Sequence, residues 1–342
     1  MIKNKYGMLM IKYISTFIGI TIILFILFKN VPVKILAGNY SPSSYALLGL
    51  KYPLFIQYFY FVYDIVTVNM GNIINPIYSG SVSRAMKIFL PETLFITILG
   101  FIVSISISYK IGFFLGFRSK KREKLDVNVF PLVIFYFLIP FVFIAIFNGI
   151  LAVLPPKYIL PAYIVPYNYN WIKFVNNDIF ITQPTNILFF DGIIHHSPII
   201  LINYLKNFAM PFVSLIIPST VYLSIFTKRL TSIEYNKKYI RIRIVKNIGD
   251  DKFIYHIKRN IRYTMLNEFK TIFGLFLGGE IIISYIFSYM NLGEFLVYSI
   301  MNYKTGIFGV IESIFIFTMA IFIFNMIIDI ITAAGAKNED YI

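Results

Sequence analysis

Long apolar runs separated by short polar ones set the pattern of this chain. A membrane-spanning helix needs about 20 apolar residues, and six segments reach that length: 8–28, 93–117, 127–154, 208–226, 269–287 and 307–334. The first run is too long for a signal peptide and no small-residue cleavage site follows it, so it predicts an uncleaved first span. Pro131, Pro140, Pro211 and Pro218 fall inside these runs. Within a helical bundle neighbouring helices re-satisfy the carbonyls that proline frees. The expected fold is an all-α polytopic membrane protein of six transmembrane helices. Residues 1–92 form the first helix and an outer segment. Residues 93–342 form a core of five helices, with an outer loop at 155–207 and a polar loop at 227–268 on the other side.

Composition supports lipid as the solvent. Only 14% of the 342 residues are charged and 58% are hydrophobic, whereas soluble domains carry about a quarter charged. The net charge of +15 would fit nucleic acid if it were clustered on one surface, but its distribution follows the loops. Twenty of the 31 Lys and Arg lie in the termini and in 118–126 and 227–268. The far longer segments 29–92, 155–207 and 288–306 hold nine. By the positive-inside rule both termini are expected in the cytoplasm, in a multi-pass protein of the cell membrane. The charge is then topology, and nucleic acid is not an expected partner.

Little catalytic chemistry is on offer. Cysteine is absent, which excludes disulfides and thiolate sites. Of three histidines, His195 and His196 are adjacent and so do not share a helix face; a polar loop, not a metal site, is expected there. No phosphate-cradling G-x-x-x-x-G-K-[ST], H-E-x-x-H or G-x-S-x-G occurs. The chain is expected to be no enzyme, with no catalytic residue, metal or cofactor of its own. The Pro-, Tyr- and Asn-rich stretch at 155–190, with Trp171, suits an interfacial cap and equally a surface for an external partner. Ionisable groups inside spans are functional candidates by default. Glu280 and Glu312, with Ser284 one turn beyond Glu280, are candidates for a polar pathway or an inter-subunit pair. Glu280 reads equally as a buried, hydrogen-bonded carboxyl. Gly112-x-x-x-Gly116 and Gly274-x-x-x-Gly278 predict close helix packing.

The segment 227–268 is too long for a turn. Its apolar positions (Tyr239, Ile240, Ile242, Ile244, Val245, Ile248, then Phe253, Ile254, Ile257, Ile261) are divided by Asn247-Ile248-Gly249-Asp250-Asp251. Asn and Gly accept positive φ and Asp250 can cap a following helix, so the pattern predicts helix, tight turn, helix. A basic amphipathic pair of this kind rests on anionic lipid or presents a short helix to a soluble partner.

Here the sequence resembles the permeases of ATP-binding-cassette importers, in particular the oligopeptide/dipeptide permease B family. Their cytoplasmic loop, D-Y-[IV]-R-T-A-R-A-K-G-L, is similar to Lys238 through Ile248, with Tyr239, Ile240, Arg241, Lys246 and Ile248 matching and Asn247 at the glycine. His256-Ile257-Lys258-Arg259-Asn260 resembles H-A-L-R-N. Gly278-Gly279 followed by Phe287-Ser288-Tyr289-Met290-Asn291-Leu292-Gly293 resembles G-G…F-S-W-P-G-L-G, with Ser284 where that family usually has Glu. Asn325-x-x-x-Asp329 is similar to N-L-L-V-D. Near the front, Leu48-Gly49-Leu50…Pro53…Gln57-Tyr58 resembles L-G-L-x-x-P-x-x-x-Q-Y. Asn69-Met70-Gly71 looks like G-D-L-G, and Leu90-Pro91-Glu92-Thr93-Leu94 like L-P-A-T-L.

The resemblance implies a type I importer permease and half of a translocation pathway. Its partners would be a second, homologous permease subunit, two ATP-binding-cassette ATPases and an extracellular substrate-binding protein. ATP and Mg would sit on the ATPases alone. It also implies that Tyr239, Ile240, Arg241, Lys246, Asn247, Ile248, Gly249 and Asp250 form the coupling element that docks on an ATPase. Peptides are the expected cargo, with oligosaccharides the alternative. A stand-alone secondary transporter would need internal repeats, and a membrane-embedded enzyme or scaffold a cluster of reactive groups; neither pattern is evident.

Overall fold

The computed structural model describes residues 2–31, 52–118, 130–149, 185–194, 198–238 and 250–337. In chain order these form α1 (Ile2–Lys29), α2 (Leu54–Val66), β1 (Asn72–Asn75), β2 (Tyr78–Ser81), α3 (Val82–Arg118), α4 (Phe130–Gly149), α5 (Leu188–Ile194), α6 (Pro198–Tyr235), α7 (Asp250–Ile286), α8 (Leu292–Met301) and α9 (Tyr303–Lys337). Five stretches are long and apolar enough to cross a membrane: Gly7–Lys29, Val82–Arg118, Phe208–Tyr235, Thr264–Ile286 and Tyr303–Ala334. This is the make-up of a multi-pass α-helical membrane protein. The third expected span falls on α4, 20 residues long, of which Phe130–Phe143 ranks as a shorter apolar helix.

The helices overrun the apolar segments that predict them. α3 begins at Val82, eleven residues before its expected start, and α7 begins at Asp250, in the polar segment. Pro91, Pro140, Pro211 and Pro218 all sit inside continuous helices. The 288–306 segment, expected as a loop, is helix α8 and a tight turn into α9.

The chain divides into two compact units: Met1–Leu94, Ala162–Tyr204 and Ser288–Ile342 in one, Phe95–Pro161 and Leu205–Phe287 in the other. In the first, α1 and α9 pack antiparallel. Tyr13 meets Phe322 edge-on at 5.2 Å, and at the other end Phe28 meets Phe308 at 6.5 Å. Asp329 accepts from Lys12 Nζ at 2.9 Å and from Tyr13 Oη at 2.6 Å. α2 packs on α1, with Tyr58 Oη 2.7 Å from Thr21 Oγ1 and Phe61 against Phe25 and Phe28.

A two-stranded antiparallel hairpin, unforeseen in the outer segment, follows α2 with Asn75 paired to Tyr78. Asn75 Oδ1 accepts from the amides of Ile77 and Tyr78, a side-chain substitute for a backbone turn. Its Nδ2 donates to Ser299 Oγ at 3.0 Å, fastening the hairpin to α8.

In the second unit Gly112 and Gly116 let α3 close on α6. A Cβ at Gly112 would lie 2.5 Å from Ser224 O and Thr227 Cβ, and one at Gly116 2.5 Å from Thr231 Cβ. That first motif behaves as close-approach motifs do. Gly278 of the second finds no close neighbour among the described residues. A Cβ at Gly278 would meet nothing within 4 Å, and the close approach belongs to its neighbour Gly279, packed under the ring of Tyr136.

Candidate functional site

Residues 239–249 lie outside the described residues, so Tyr239, Ile240, Arg241, Lys246, Asn247, Ile248 and Gly249 carry no structural description, as do His195 and His196. Asp250 is the first residue of α7. The two helices that flank this segment are described, and they are joined. Asn260 Nδ2 donates to Glu234 Oε1 at 2.8 Å. Glu234 also pairs with Lys237 through Oε2 at 2.5 Å. Glu234 is buried, and a charge-assisted bond to a buried carboxylate is among the stronger polar contacts. Ile257 and Ile261, on the first turns of α7, are buried as well. The two flanking helices are therefore tied by a polar contact near the undescribed segment.

The intramembrane candidates separate. Glu280 is buried, and Ser284, one turn along α7, donates to its Oε1 at 3.2 Å. This is the geometry of a hydrogen-bonded interior carboxyl. Its neighbour Gly279 accommodates Tyr136, whose hydroxyl is bonded to Ser219 of α6. Glu312, on α9, is also fully buried, and neither carboxyl oxygen has a hydrogen-bond partner among the described residues. Glu280 and Glu312 belong to different units.

A buried polar cluster among the described residues, centred on Glu92, was not among the sequence candidates. Glu92 of α3 is 5% exposed. Its Oε1 accepts from Tyr204 Oη at 2.8 Å and from Tyr289 Oη, and the two phenol oxygens are 3.3 Å apart. Burial first, then the charge of Glu92, push both phenols far above their ordinary range, so both remain protonated donors. The segment bearing Tyr289 is held tightly. Ser288 takes a positive φ of 48°, Leu292 N donates to Thr93 Oγ1 at 2.8 Å, and Asn291 caps α8 by accepting from Glu294 N at 3.1 Å. Thr93 in turn donates to Phe89 O.

A signal for this cluster was present in the motifs. In the resemblance drawn from the sequence, Glu92 would stand at the alanine of L-P-A-T-L and Tyr289 at the tryptophan of F-S-W-P-G-L-G, and these two positions are bonded to each other. Among the described residues no group of three or more His, Asp or Glu is placed to hold a metal. The chain matches no protein-family model and no curated protein.

Proposed function

We propose that this chain is one transmembrane permease subunit of an ATP-driven importer, taking up di- and oligopeptides across the cell membrane. Its termini are cytoplasmic, and six spans, α4 being the third, form half of the pathway. A second, homologous permease supplies the other half. Two cytoplasmic ATPases hold ATP and Mg, and an extracellular binding protein delivers the cargo.

The observation that carries this reading is the bond between Glu234 and Asn260. Asn260 closes the stretch resembling H-A-L-R-N. Its tie to α6 clamps the base of the segment that resembles the ATPase-docking loop. A loop clamped at its base transmits force to the spans it joins; a loosely hung one absorbs it. The antiparallel packing of α1 on α9 supports an even number of spans, because it brings both ends of the chain to one face. ATP binding then shifts the permease between inward- and outward-facing states by docking more tightly to one of them.

Two measurements test the proposal. The tagged chain purified from its native membrane should bring with it two P-loop ATPases and a second permease; its isolation alone under mild detergent would overturn the reading. Replacing Asn247-Ile248-Gly249 by bulky charged residues should abolish peptide uptake while the complex still assembles. Uptake and substrate-stimulated ATP hydrolysis at wild-type rates would refute the coupling role. Labelled oligosaccharides in the same assay distinguish the cargo class.

A further inference from the structure

Helix α2 is polar on the inside and apolar on the outside. Its buried residues are Gln57, Phe61, Asp64 and Ile65, so both of its strongly polar side chains face inward. Its outward stripe, at helical spacing, is Phe55, Ile56, Phe59, Tyr60 and Tyr63, which line an apolar trough of about 410 Å³. Phe55 is 72% exposed and Tyr63 65%. A surface helix in water shows the reverse arrangement, since leaving large aromatic side chains in water is unfavourable relative to burying them. No Lys, Arg, Asp or Glu lies on this face.

We propose that this face of α2 is embedded in the acyl chains of the leaflet reached by the C-terminal half of α1, as a short helix that enters the bilayer without crossing it. Thirteen residues make about 20 Å of helix, a length typical of interfacial or re-entrant segments and too short for a span. The occupant follows from continuity. α2 is packed on α1, whose exposed side chains at this level (Ile22, Ile23, Ile26 and Leu27) are apolar and belong to a spanning helix. The two exposed faces form one apolar surface, and the solvent of the first is the solvent of the second.

The contacts also fix direction. Tyr58 meets Thr21 and Phe25, and Phe61 meets Phe25 and Phe28, so α2 runs the same way as α1, with Phe55 deeper than Tyr63. At its far end Val68 (φ 56°) and Gly71 (φ 113°) turn the chain into the hairpin. This inference does not depend on the importer reading; it requires only that α1 spans.

The chain contains no cysteine, so each single-cysteine variant carries one label. In native membranes, nitroxide on Phe55→Cys, Phe59→Cys and Tyr63→Cys should be reached by oxygen more readily than by a water-soluble nickel chelate. The ratio should fall from Phe55 to Tyr63, and Phe59→Cys should match Ile22→Cys on α1. Phe61→Cys, on the inward face, should be reached by neither. Nickel access exceeding oxygen access at Phe59 would overturn the proposal in favour of water. Protection from both would overturn it in favour of a protein partner. Ile56→Cys reports the same face where Phe59→Cys is not tolerated.

Discussion

At the residue scale the most informative positions are Glu92 and Tyr289, which depart from the motifs of the proposed family. Glu92 and Tyr289 are each unexpected alone and explain one another together, because a buried carboxylate needs donors and Tyr289 provides one. Glu92→Ala strands two phenol donors, and Tyr289→Trp removes one and crowds the other. Each single change should cost about 1–3 kcal/mol. The double variant, which restores the motif pair, should cost less than their sum by about 0.5–3 kcal/mol; additive unfolding midpoints in detergent would show that the two do not act as a pair. Glu294 gives a pH signature. Burial lifts its carboxyl from the ordinary 4.5 to about 7. Between those values the folded chain holds a proton that the unfolded chain releases. Stability from this group is therefore complete below pH 4.5, falls as pH rises to about 7, and is flat above. Glu294→Gln should remove that part of the slope between pH 4.5 and 7, and an unchanged slope would assign it elsewhere. Glu92 escaped the sequence reading because at ten residues into α3 it looked like the edge of a span. Only the fold brings Tyr204 and Tyr289, more than a hundred residues away, to its carboxyl.

At the element scale, hydropathy located the long helices but not their ends, and not the short helices α2, α5 and α8. Apolar periodicity reports where lipid or core is met. α3, α6 and α7 continue past it: 227–235 and 250–263 hold no Pro or Gly to stop a helix, and α3 runs on through Pro91. The β1–β2 hairpin was not legible because its strands are four residues each, too short to show alternation. Small-residue spacing found a close neighbour at Gly112 and Gly116 and none among the described residues at Gly278, since spacing marks a possible contact and only topology supplies the neighbour. The three positions separate in one experiment. Gly112→Ala and Gly116→Ala should destabilise by about 1–3 kcal/mol through overpacking on α6. Gly278→Ala should be neutral or stabilising by up to about 1 kcal/mol, the helix-propensity gain. Equal thermal midpoints for all three would mean that the α3–α6 contact is not close in the membrane.

At the scale of the whole molecule, the packing of α1 on α9 constrains the crossing count. Both ends lie on one face, which fits the proposed six spans if α4, an apolar helix of 20 residues, joins the five qualifying helices. Cysteines at Lys3 and Lys337 should react with an impermeant maleimide only after cells are opened, and one at the exposed Lys304 should react in intact cells; the opposite pattern would invert the protein. The tie of Lys12 and Tyr13 to Asp329 also has a consequence for biosynthesis. The two sides of this clasp are 317 residues apart, so at roughly 5–20 residues per second the first helix waits about 15–60 s for its partner to be made. During that interval α1 must be held by lipid or by an insertion factor. A chain terminated just before α9 should leave α1 without its anchor, and cells should clear it as an orphan, although every earlier helix is present.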